Sequence, residues 1–212
     1  MPRVPFQIAN RFRARRTMRG RLGQFLRDRR GTVAIEFAFA LPITCMMVFG
    51  LYEITEGVIT YMKVAAAANT VEDLIGQAST ASTGIGVNEI NNYYIAAQIV
   101  MYPNLGSDLG LAITSVYYDS NGANPTVAWS VERGGAPVIT NPTGYVSGLG
   151  SENGSMIIVQ ATYTFISPLG YFITSPITIT SKVIGQPRNF LPGAGYDKGI
   201  PCPPTNGSET CN

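Results

Sequence analysis

Histidine is missing from all 212 positions. Catalytic triads built on an imidazole, and metal centres with histidine ligands, are excluded at once. Charge is sparse, at 13% of residues, and the acids form no obvious acid/base pair. Glu72-Asp73, adjacent in sequence, and the nearby Glu53 and Glu56 read as solvated helix faces. Asp119-Ser120-Asn121-Gly122 starts like a calcium loop but lacks the acidic ligands that should follow, so it reads as a turn. The 23 glycines include no G-x-x-x-x-G-K phosphate loop. No enzymatic activity, metal or cofactor is therefore expected.

What charge there is lies unevenly. Residues 1–30 hold ten arginines against the single Asp28, a net of +9, whereas five basic and twelve acidic residues leave the remainder at −7. A basic arm of this kind suits nucleic-acid phosphates or the cytoplasmic flank of a membrane span. The next segment favours the second reading. From Phe37 to Tyr52 sixteen residues carry no charge, and extending back to Thr32 gives twenty-one interrupted only by Glu36. As a helix the twenty-one reach roughly 30 Å, the thickness of a bilayer core.

A cleaved secretory signal fits less well, because the nearest small-x-small site, Ala65 to Ala68, lies past Glu53, Glu56 and Lys63. Arg15-Arg16 stands too far ahead of the apolar run for a twin-arginine signal. By the positive-inside rule the arm is expected in the cytoplasm and everything beyond the span outside it, which leaves no nucleic-acid partner. Pro42 removes one backbone donor inside the run and predicts a bent helix that continues.

Glu36 is the unusual residue, since an acid in a membrane helix normally has a partner. It stands in "RRGTVAIEFAFALP", where Gly31 to Glu36 has the spacing G-x-x-x-x-E. This stretch resembles the cleavage site of type IV pilin-like precursors, and more narrowly that of TadE/TadG-like minor pseudopilins of tight-adherence (Tad, or Flp) pilus systems. The resemblance implies that a prepilin peptidase cuts after Gly31, with Arg30 before it, and that Thr32 becomes the first residue and Glu36 the fifth. Phe37 follows Glu36 where major Flp pilins carry Tyr, and the mature chain would have 181 residues, far longer than a major subunit. Both features point to a minor member. The carboxyl-terminal "VQATYTFISPLGYF" and "ITSKVIGQPR", closing on Pro187 and Arg188, are also similar to TadE-like domains. Implied partners are the inner membrane, the prepilin peptidase, sister Tad pseudopilins and pilins, and the Tad secretion platform, with subunits packed through Glu36 and the helix around Pro42.

Beyond the span the chain reads as α+β. Ile54, Val58, Tyr61, Met62, Ala65, Ala68, Val71, Leu74 and Ile75 recur at helical spacing, so the first helix is expected to run to about residue 78. Ile90, Tyr93, Tyr94, Ala97, Val100 and Met101 mark a second, shorter helix closed by Pro103. Strands are expected at 111–118 and 126–132, joined as a hairpin by "DSNGANP", and at 155–165 and 176–184, forming a small antiparallel sheet packed on the helices.

The resulting division is a leader at 1–31, a transmembrane helix at 32–53, exported helices at 54–103, a β-rich part at 104–188 and a Pro/Gly-rich tail at 189–212. Cys45 in the span reads as a small packing residue. Cys202 and Cys211 in the tail suit a disulfide on an oxidising side, and two thiols with no histidine make a poor metal site. Two functions are open on the sequence: a processed minor pseudopilin, or an unprocessed single-span envelope protein whose exported part binds a partner.

Overall fold

A computed structural model describes residues 31–77, 85–104, 108–188 and 209–211. The fold is α+β. Two compact units divide the chain, residues 1–48 and 49–212. Helix α1 (Gly31–Gln77) begins in the first and ends in the second, and it is continuous through Pro42. Within the first unit Val33, Ile35, Phe37, Phe39, Leu41 and Ile43 are all exposed. This helix, apolar all round and left largely uncovered by the other described residues, is long and apolar enough to cross a membrane.

The second unit places the last part of α1 and α2 (Val87–Val100) against one face of a sheet. The sheet is antiparallel, built from β1 (Leu109–Tyr118), β2 (Pro125–Arg133), β3 (Ser155–Phe165), β4 (Ile177–Gly185) and the short β5 (Glu209–Cys211), in the order β4-β3-β1-β2-β5. β1 and β2 form the expected hairpin, with a bulge that leaves Ala128 between Val127 and Trp129 without a partner residue on β1. β3 returns on the other side of β1, pairing Leu109 with Tyr163 and Tyr117 with Ser155.

Alternate residues of β3 face the helices: Ile157, Val159, Ala161, Tyr163 and Phe165 pack with Val64, Ala67, Ala68, Val71 and Ile75 of α1 and with Ile90, Ala97 and Met101 of α2. Small residues on α1 let its backbone lie close to the sheet. Glu89 starts α2 by accepting the N–H of Gly86 at 2.8 Å, and Tyr94 fastens it to β1 by donating to the Leu109 carbonyl, also at 2.8 Å. At the far end of α2, Asn104 accepts from Lys63 at 2.9 Å and donates to Thr60 at 3.2 Å, both on α1.

The sheet is covered on its second face too, which the periodicity did not anticipate. The excursion between β2 and β3, with a single helical turn α3 (Thr143–Val146), closes a smaller core of Val116, Tyr118, Ile139, Val146, Met156 and Ile158. The Tyr118 hydroxyl donates to the Val146 carbonyl at 2.5 Å, and Gly150 lets its backbone lie against the Tyr118 ring. Gln160 on β3 donates to the Pro137 carbonyl at 3.0 Å, and Lys182 on β4 donates to the Tyr145 hydroxyl at 2.8 Å. This layer is held largely by backbone carbonyls of a loop, for which no side-chain spacing gives a signal.

Candidate functional site

Gly31 opens α1, and Thr32, Glu36 and Phe37 fall within its first two turns. Arg30 and the rest of the basic arm lie outside the described residues. Four helical residues advance about 6 Å and return nearly to the same face, so Thr32 and Glu36 stand one above the other. Among the described residues, a Cβ added at Gly31 would meet nothing within 4 Å. Phe37 is 65% exposed and Phe39 75%. Further along, Pro42 leaves the Ala38 carbonyl without its helical donor, and Thr44 donates to the Ala40 carbonyl at 3.0 Å. Cys45 is a half-buried free thiol.

The expected helical series of α1 beyond the run divides between two faces, its first four members outward and Ala68, Val71 and Ile75 inward. Ile54, Val58, Tyr61 and Met62 are exposed, whereas Thr60, Val64, Ala67, Ala68, Val71 and Ile75 turn inward with Glu53. Both sides of this stretch carry apolar residues at helical spacing, so hydrophobicity alone does not separate them. A large apolar stripe left uncovered past the end of the apolar run is a surface suited to another helix.

Glu53 was expected on a solvated face and is instead fully buried. Its carboxylate accepts three successive backbone N–H groups from the loop between β3 and β4: Tyr171 at 2.7 Å on Oε1, Phe172 at 2.9 Å and Ile173 at 2.8 Å on Oε2. Ser167 adds a side-chain hydrogen bond. Gly170, at φ +62°, supplies the left-handed step that turns these amides toward one point. Beside them the Phe172 ring lies on α1 at Gly50, where a Cβ would stand 3.1 Å from the ring. The three amides stand 118, 119 and 120 residues from Glu53, so no local spacing announces the contact.

Two further acids lie near the end of α1. Asp73 pairs with Arg188 on the surface, and the Arg188 N–H donates to the Gly76 carbonyl at 2.9 Å, satisfying one of the carbonyls left over at the end of α1. Pro187 and Arg188 thus close the chain back onto α1. Glu72 lies against Gly185, and burial pushes its carboxyl up, with Asp73 adding to the shift and Arg188 opposing it.

Asp119 does form the expected turn, accepting from Asn124 at 2.7 Å, Ala123 at 3.0 Å and Asn121 at 3.2 Å. These bonds, that of Asn124 foremost, hold its carboxyl below the usual range. Among the described residues no three acids or cysteines gather where a metal ion would fit. Cys202 lies outside the described residues, and so does its expected pairing with Cys211, whose backbone sits in β5 opposite Trp129.

The candidate features are, in the first unit, the Gly31-to-Glu36 segment at the head of an apolar run and, separately in the second unit, a carboxylate latch at Glu53. No family model, curated protein or solved structure matches the chain.

Proposed function

We propose that this chain is a minor pseudopilin of a bacterial Tad pilus system. It is inserted in the inner membrane with its arginine arm in the cytoplasm, cut after Gly31 by a prepilin peptidase, and packed into an assembly through α1. The observation that carries the reading is the placement of Glu36 one turn from Thr32 in an exposed apolar helix, behind Arg29-Arg30-Gly31. Hydrolysis of the Gly31–Thr32 peptide leaves a carboxylate on Gly31 and a positive amine on Thr32. In a low-dielectric setting an ammonium and a carboxylate attract strongly, and either one unpaired is penalised. Glu36 of one subunit meets the new amine of a neighbour and sets the register, while apolar contact along α1 holds the stack. The outward stripe of Ile54, Val58, Tyr61 and Met62 supports the same reading, because it prolongs the packing surface past the bilayer.

The test is Glu36→Gln and Glu36→Ala in a cell that makes the pilus, with amino-terminal processing followed in parallel. Incorporation should fall about tenfold, the effect of losing ~1.4 kcal/mol of assembly energy. Incorporation equal to the parent, with processing intact, would exclude the pairing.

A further inference from the structure

The loop between β3 and β4, residues 166–176, reads "ISPLGYFITSP" and contains no charge. Most of its large side chains are uncovered: Ile166 is 68% exposed, Leu169 47%, Tyr171 70% and Phe172 51%. Four bulky apolar or aromatic side chains within seven residues make a patch that soluble surfaces avoid. The opposite end of the sheet is different in character, with Ser120, Asn121, Asn124 and Glu152 at its surface.

The position of this patch is fixed along α1. Three backbone hydrogen bonds to Glu53 and the seat of Phe172 on Gly50 hold the loop level with residues 50–53. The uncharged run ends at Tyr52. We propose that this loop lies in the headgroup layer of the bilayer that α1 crosses, with Leu169, Tyr171 and Phe172 reaching the acyl boundary. The proposal rests on the membrane-spanning reading of α1.

Chemistry and position agree. Aromatic side chains gather at membrane interfaces, where one part of the ring system meets hydrocarbon and the other meets water; Tyr171, Phe172 and the exposed Tyr52 form such a belt. Backbone amides carried to the acyl boundary lose water as a partner and need one from the protein. Glu53 provides it for three consecutive amides. The loop would thereby fix the tilt and rotation of the folded unit against the membrane, which a single span does not do.

The full-length chain in vesicles of phosphatidylcholine and phosphatidylglycerol with brominated acyl chains tests this. Leu169→Trp and Tyr171→Trp place a fluorophore in the loop, Ile43→Trp in the apolar run, and Leu149→Trp at the far end of the sheet near Tyr118. Trp129, buried in the sheet, is a constant background. The proposal predicts blue-shifted emission and loss of fluorescence for the two loop variants with bromine near the headgroups, and no loss for Leu149→Trp. If Ile43→Trp is quenched but both loop variants are not, the loop proposal fails while the span stands. A blue shift without bromine quenching means that a protein partner covers the loop, which also overturns it. If Ile43→Trp escapes quenching as well, the span itself fails and takes the loop proposal with it.

Discussion

Glu53 accepts the backbone N–H of Ile173 at 2.8 Å, joining α1 to a loop 120 positions later in the chain. With the two neighbouring amides it forms a polar link between α1 and the β3–β4 loop, beside the apolar packing of Val64, Ala67, Ala68, Val71 and Ile75 on the sheet. Burial of an acid is tolerated here because every lone pair that matters is answered by a fixed donor.

Removing that carboxylate leaves three amides without their acceptor. Glu53→Gln retains one acceptor oxygen and Glu53→Ala none, so thermal midpoints of the detergent-solubilised chain should fall in the order parent, Gln, Ala. Hydrogen exchange at residues 171–173 should rise in the same order. An Ala variant as stable as the parent, with unchanged exchange, would mean that the latch is ornamental.

The second face of the sheet has its own test. Tyr118→Phe deletes a buried hydroxyl and leaves the Val146 carbonyl with the Leu149 N–H alone, so it should cost about 1 kcal/mol in chemical denaturation. Exchange protection should drop around α3 and stay unchanged in α2. A loss spread evenly over the unit would contradict a separate second layer.

Much of this fold is legible from side-chain periodicity. The alternation of Val159, Ala161, Tyr163 and Phe165 marks β3 as it is observed, and Ile90, Ala97 and Met101 mark the buried side of α2. β1 begins two residues before the expected strand, at Leu109, because Gly110 is paired with Thr162. What periodicity misses has a common cause. The orientation of α1 depends on Thr60 and Glu53 facing inward through polar contacts, while Ile54 and Met62 face outward. The layer around Val146 and the strand β5 rest on backbone partners that spacing does not encode.

A pH dependence follows from the turn at Asp119. A carboxyl held below its unfolded-state value contributes stability above the ordinary aspartate range, and that contribution fades as pH falls through the folded value. Asp119→Ala should therefore lower the unfolding midpoint at neutral pH. The difference from the parent should shrink as the solution is acidified. A gap that widened toward low pH would reverse the sign of the argument.

The central claim is cleavage, and the amino-terminal residue and mass of the membrane-bound protein test it most directly, measured with and without the cognate prepilin peptidase. The account predicts a chain that begins at Thr32 only when the peptidase is present. A chain that keeps its arginine arm in both conditions would contradict it and leave a single-span anchor in which Glu36 meets no new amine.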